Sequence, residues 1–124
     1  MHVKTRSLSW MGIRTRKFRA MVELFRDTLG LEFTLEEEEF AVLRTGNGDT
    51  VEIFGPNSKY NKHFSSAPVV GFSVDDLDEA CDRLREAGLE LIGEVKKDET
   101  GYAWQHFRGP DGNIYEVTFD PQQG

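Results

Sequence analysis

Phe107-Arg108-Gly109-Pro110-Asp111-Gly112-Asn113-Ile114-Tyr115-Glu116-Val117-Thr118-Phe119 decides the fold. It reads as a strand end, a tight turn and a final strand. Pro110 presets φ for a turn, Asp111 can bond its own backbone, and Gly112 and Asn113 tolerate positive φ. Beyond the turn, Tyr115, Val117 and Phe119 point one way and Ile114, Glu116 and Thr118 the other. The first set is wholly apolar and is read as facing a core. Glu116 then stands in mid-strand on the opposite face, where a carboxylate is either solvated or lines a cavity.

Working outward, the same order of elements occurs twice. Leu8 to Thr15 alternates as a strand, with Met11 and Ile13 on one face and Leu8, Trp10, Gly12 and Arg14 on the other. From Lys17 to Leu29 the period becomes helical, with Phe18, Met21, Val22, Phe25 and Leu29 as one stripe, Thr15 as N-cap and Gly30 as the stop. Strands follow at Leu31–Leu35, Phe40–Arg44 and Thr50–Phe54. The acidic run Glu36 to Glu39 reads as a solvated strand end and turn. After a polar connector come a strand at Val69–Val74 and a helix capped by Asp76, striped by Leu77, Ala80, Cys81, Leu84 and Ala87 and closed by Gly88. Strands at Leu89–Val95, Tyr102–Phe107 and Ile114–Phe119 complete the second set. With Trp10 set against Val69, Gly12 meets Gly71, Phe18 meets Leu77 and Phe25 meets Leu84. One residue later dropped, Gly30 meets Gly88, and Glu52-Ile53-Phe54 answers Glu116-Val117-Thr118. This is a βαβββ unit used twice. The expected organisation is one α+β domain over 1–124, with a module at 8–54, a connector at 55–68 and a module at 69–119.

Composition bounds the function. A chain of 124 residues with nine Phe and two Trp can build one core-bearing domain. A net charge of −7 argues against a nucleic-acid or anionic-membrane surface, although Lys4, Arg6, Arg14, Arg16, Lys17 and Arg19 gather before the first acid at Glu23. The single Cys81 excludes an internal disulfide, and no long apolar stretch stands at the N-terminus or elsewhere. A cytoplasmic protein without membrane or nucleic-acid partners is expected.

The double βαβββ pattern resembles the vicinal oxygen chelate superfamily of glyoxalase I, bleomycin-resistance proteins, fosfomycin-resistance enzymes and extradiol dioxygenases. The resemblance runs from about Leu8 to Phe119. It is carried by Phe25-Arg26-Asp27-Thr28-Leu29-Gly30-Leu31, Val51-Glu52-Ile53-Phe54, Val70-Gly71-Phe72-Ser73-Val74-Asp75-Asp76 and Gly109-Pro110-Asp111-Gly112-Asn113. It implies two modules whose sheets curve around a cleft, and in metal-dependent members four ligands on the first and fourth strands of each module. Those positions fall on Trp10, Glu52, Val69 and Glu116. The two Glu match carboxylate ligands, but an indole and a Val side chain supply no donor. No cofactor is therefore expected, the alternative being a divalent metal held weakly by Glu52 and Glu116.

The candidate ligand-binding residues are Trp10, Arg14, Glu52, Val69, Trp104, His106 and Glu116. Trp10 either stacks on a planar ligand or plugs the space a metal would fill. Arg14 either meets the ligand or neutralises one of the two Glu. Tyr102, Trp104 and His106 share one face of their strand, which is assigned to the cleft. Glu52 and Glu116 are the candidate acid and base. The connector, with Tyr60, His63 and Phe64, is either a lid or a surface linker. The expected function is metal-free binding of a small, partly aromatic molecule by a homodimer. The alternatives are a lyase, isomerase or dioxygenase of the same superfamily and an interaction module with a self-filled cleft.

Overall fold

The computed structural model describes residues 2–65 and 67–123. Residues 1 and 124 of the expected domain, and residue 66 of the expected connector, lie outside them. The described residues form a mixed α+β fold of eight strands and two α-helices. In chain order these are β1 (Thr5–Arg14), α1 (Phe18–Glu23), β2 (Glu32–Glu37), β3 (Phe40–Arg44), β4 (Thr50–Phe54), β5 (Val69–Val74), α2 (Leu77–Glu86), β6 (Glu90–Lys97), β7 (Ala103–Arg108) and β8 (Ile114–Phe119). Hydrogen bonding links the strands in the order β2-β3-β4-β1-β5-β8-β7-β6. β1 runs parallel to β4 and β5 parallel to β8, and β2–β3, β3–β4, β6–β7 and β7–β8 are antiparallel hairpins. The chain resolves into two compact units, a central one of Trp10–Val69 and a terminal one of Met1–Ser9 with Val70–Gly124. No helix among the described residues is long and apolar enough to cross a membrane.

In the central unit, Met11 and Ile13 of β1 lie beside Val51 and Ile53 of β4, and Ala41 and Leu43 extend the same face across β3. Phe18, Met21, Val22 and Phe25 pack down on it, as the helical period requires. The period then breaks. Leu24–Thr28 forms a π turn in which the Leu29 N–H donates to Leu24 O at 2.9 Å. An i→i+5 turn holds more residues than an α turn, so the stripe slips out of phase. Leu29, expected on the buried stripe, is 57% exposed. The expected N-cap is also displaced. Thr15 Oγ1 accepts from the Lys17 N–H at 3.0 Å, its own N–H donates to Phe54 O at 2.8 Å, and α1 starts at Phe18 with no side-chain cap. Thr15 thus prolongs the β1–β4 ladder instead of opening the helix.

The terminal unit follows its sequence signals closely. Asp76 Oδ1 accepts from the Glu79 N–H at 3.0 Å and caps α2. Leu77, Ala80, Cys81 and Leu84 pack on Val74, Ala103 and Val117, with Phe107 and Phe119 at the rim. Around Gly88, at φ +81°, the Leu89 N–H reaches Leu84 O at 3.1 Å and the Gly88 N–H reaches Arg85 O at 2.9 Å. These are the two bonds of a Schellman closure. The Gly109–Gly112 turn closes with the Gly112 N–H on Gly109 O at 2.9 Å, and Asp111 Oδ1 takes the Asn113 N–H at 3.0 Å. β6 bulges between Ile92 and Lys96. The buried Gln105 amide fills the irregularity, its Nε2 lying 3.1 Å from both Ile92 O and Gly93 O.

Leu43, fully buried in the central unit, and the exposed Leu29 test the helix phase together. Leu43→Ala is expected to cost about 2–5 kcal/mol, and Leu29→Ala no more than ~0.5 kcal/mol. A loss in urea unfolding for Leu29→Ala as large as the ~2–5 kcal/mol expected of a buried Leu→Ala would contradict the π turn.

Candidate functional site

The terminal unit gathers polar groups on the sheet face that α2 leaves uncovered. Strand register aligns Ile92, His106, Glu116 and Gly71 in one row and Lys96, Trp104, Thr118 and Ser73 in the next. His106 Nε2 lies 2.9 Å from Glu116 Oε1. Both residues are buried, with 6% and 4% of their surface exposed. Thr118 Oγ1 shares a hydrogen bond of 2.8 Å with Ser9 Oγ. Trp104 is half-buried beside Tyr102, the ring centroids 6.1 Å apart.

Burial pushes the Glu116 carboxyl from an ordinary 4.5 up to about 8. Burial, with a smaller contribution from the Lys96 charge, pulls His106 from 6.5 down to about 4. Both shifts favour the uncharged forms, so near neutral pH the pair is a carboxylic acid beside a neutral imidazole. One proton lies between Oε1 and Nε2, which is the arrangement of an acid and a base poised to exchange it.

The central unit treats its uncovered face differently. Trp10, Gly12 and Arg14 of β1 share that face with Thr50, Glu52 and Phe54 of β4. The indole folds down over Gly12, so closely that a Cβ there would collide with Trp10 Cη2. Only glycine leaves room for it. Phe64 closes over the indole at a centroid distance of 6.0 Å and meets Phe54 edge-on at 5.6 Å, leaving Trp10 only 8% exposed. Arg14 Nη1 donates to Gly55 O at 2.8 Å and Ser58 O at 3.3 Å, and Nη2 to Tyr60 O at 2.6 Å and Asn61 O at 2.8 Å. The segment 55–64 is thereby strapped across the face. Glu39 O accepts the Gly55 N–H at 2.8 Å, Glu39 Oε1 the Asn57 N–H at 2.8 Å, and Glu37 Oε1 the Tyr60 hydroxyl at 3.0 Å.

The residues singled out in the sequence therefore divide. Trp104, His106 and Glu116 come together on one face of the terminal unit. Trp10, Arg14 and Glu52 share a face of the central unit, where Arg14 is engaged by backbone carbonyls and Glu52 is half-buried. Val69 is buried and offers no donor. Glu37 and Glu39 were not among the candidates, although they hold the strap. Their signal was the acidic run, whose carboxylates look solvated until a partner segment with unpaired N–H and O–H groups is placed beside them. Among the described residues no three His, Cys, Asp or Glu side chains form a group able to hold a metal. Trp10 and Val69 lack donors, and Glu116 is bonded to His106. These residues do not make up the ligand set of a divalent metal. An open polar recess lined by Glu32, Thr34, Arg44 and Thr45 lies elsewhere in the central unit and contains none of the candidates.

The family model of the glyoxalase/bleomycin resistance protein/dioxygenase superfamily matches residues 7–117, and the chain belongs to that superfamily. The uncharacterized protein YraH of Bacillus subtilis (strain 168) is 30% identical over 112 residues, which are 81% of this chain and 88% of that protein. Among solved structures, methylmalonyl-CoA epimerase from Mycobacterium tuberculosis matches with a TM-score of 0.69 at 20% identity, over 99% of this chain and 94% of that one. The Mn(II)-bound glyoxalase from Novosphingobium aromaticivorans matches with a TM-score of 0.77 at 19% identity, over 95% of this chain and 40% of that one. At these identities the structural matches establish the fold.

The buried pair makes stability depend on pH in a definite direction. Between about 4.5 and 6.5 the unfolded chain carries one proton on this pair, as imidazolium, and the folded chain carries one on the carboxyl, so the pair adds no slope. Above 6.5 the unfolded pair has lost its proton while the folded pair keeps one, up to about 8. Its contribution to stability therefore falls as pH rises through that window. Urea unfolding from pH 6 to 9 is expected to show this loss in the parent and not in Glu116→Gln. A flat difference between the two proteins would show that Glu116 is ionised in the fold.

Proposed function

We propose that this protein binds a small, partly aromatic molecule without a resident metal. The observation that carries the reading is the buried His106–Glu116 pair beside Trp104 on one face of β7 and β8. The half-buried indole is a surface on which a planar body can stack, and the second Glu116 oxygen can accept a hydrogen bond from a ligand N–H or O–H. The reading keeps the arrangement implied by the family resemblance, two βαβββ modules at 8–54 and 69–119 joined by 55–68, with sheets curving around a cleft. It also takes the protein as a cytoplasmic homodimer. Sedimentation that found only a 14.1 kDa species would remove the dimer.

A second reading is favoured by the same pair. Groups at hydrogen-bond distance are suited to proton transfer, which supports an acid–base role for Glu116, and the alternative is a lyase, isomerase or dioxygenase of the superfamily using Glu52 and Glu116. A divalent metal belongs to that alternative, on the same two carboxylates.

Elemental analysis and a ligand screen separate the two. Protein purified without a tag is expected to hold no stoichiometric Zn, Ni, Fe or Mn. About one equivalent, lost in Glu116→Ala, would favour the metal-dependent alternative. In a screen of planar aromatic compounds, ligands are expected to alter tryptophan emission and to bind about tenfold more weakly to Trp104→Ala, the scale of a lost aromatic stack. Undiminished binding by Trp104→Ala and Glu116→Gln would remove the terminal-unit face from the site.

A further inference from the structure

We infer that the Trp10–Phe54 face of the central unit is itself a ligand site, closed by the strap 55–64, and that its ligand is an aromatic carboxylate anchored on Arg14. The inference rests on reading the chain as a small-molecule binder and adds a second location and a chemical class.

Arg14 carries the argument. Its Nη1 and Nη2 reach four backbone carbonyls of the strap, yet its Nε is buried with no hydrogen-bond partner. An orphaned buried donor is unfavourable, and neutral carbonyls are weaker partners for a guanidinium than a carboxylate is. A carboxylate approaching side-on takes Nε and one Nη together, in the paired geometry the planar fork favours. The surroundings complete the site. The Arg14 Cζ lies 5.7 Å from the centroid of the Phe54 ring, and beyond it Trp10 and Phe64 supply aromatic surface. Glu52 is on the same face, so a carboxylate ligand orients with its anionic end towards Arg14 and its ring towards Trp10.

The strap can open. It contains no helix or strand, and its outer fastenings, Glu37 with the Tyr60 hydroxyl and Glu39 with the Asn57 N–H, are polar and solvent-exposed. Such bonds exchange readily with water. Lys59 and Lys62 stand exposed on the strap and report its opening to trypsin. Opening gives up the carbonyl bonds to Arg14. The entering carboxylate replaces them and satisfies Nε as well, while neutral analogues of the same shape do not.

The test uses the full chain with Trp104→Phe, so that Trp10 is the sole indole, titrated with benzoate and with its neutral isostere benzamide. Benzoate is expected to shift Trp10 emission and to speed cleavage at Lys59 and Lys62 several-fold, and benzamide to do neither. Arg14→Lys keeps the charge and loses the fork, and is expected to bind benzoate several-fold more weakly. Its near-ultraviolet circular dichroism confirms that it is folded. No response to millimolar benzoate, or an equal response to benzamide, overturns the inference. The complementary Trp10→Phe protein reads Trp104 alone. A response seen only there sinks the central-unit site and leaves the terminal-unit reading standing.

Discussion

A sheet has two faces, and each unit of this protein supplies one helix. That constraint governs the rest of the structure. Strand residues alternate between faces, so covering one face with Phe18, Met21, Val22 and Phe25, or with Leu77, Ala80, Cys81 and Leu84, leaves every second residue of the same strands needing another environment. The helices are placed by sequence-local devices, the Asp76 cap and the Gly30 and Gly88 stops, and these cost the chain little freedom. The uncovered faces have no such local solution, and that is where the two units part company.

In the central unit the solution is aromatic and comes from the chain itself. Trp10 lies flat over Gly12, Phe54 and Phe64 enclose it, and a guanidinium binds a loop by its carbonyl oxygens. Using one charged side chain to satisfy several backbone acceptors lets a segment without secondary structure lie on a sheet face. In the terminal unit that face buries four polar residues, Ser73, His106, Glu116 and Thr118. Buried polar groups persist only when they are bonded, and these pair as His106 with Glu116 and Thr118 with Ser9. One repeated pattern thus yields an apolar, strapped surface in one unit and a bonded polar cluster in the other.

What could be read from sequence follows the same division. Features set by residues within a turn of each other were legible: the strands Phe40–Arg44, Thr50–Phe54, Val69–Val74 and Ile114–Phe119, and the Asp76 cap. Leu29 misled because the helical period assumes 3.6 residues per turn and a π turn does not keep it. Thr15 misled because a hydroxyl beside a helix start can instead serve a turn, and its N–H was claimed by β4. The tasks of Glu37, Glu39 and Arg14 were hidden because their side chains meet partners 18 to 47 positions away, the Tyr60 hydroxyl for Glu37 and backbone groups of the strap for Glu39 and Arg14, and such pairings leave no trace in a residue alphabet. The His106–Glu116 bond was only half visible. Both residues were candidates, but their separation of ten in sequence becomes adjacency only through the register of the β7–β8 hairpin.

The burial of Glu116 decides its charge and its need for a partner. In a site with a divalent cation, the cation's charge would hold a buried carboxyl ionised. In the protein alone, burial acts the other way and favours the protonated acid. His106 then becomes the partner that makes the buried acid tolerable, because a neutral imidazole nitrogen can accept the proton that the carboxyl keeps. Replacing His106 by an apolar residue would take from that proton donor the acceptor at 2.9 Å.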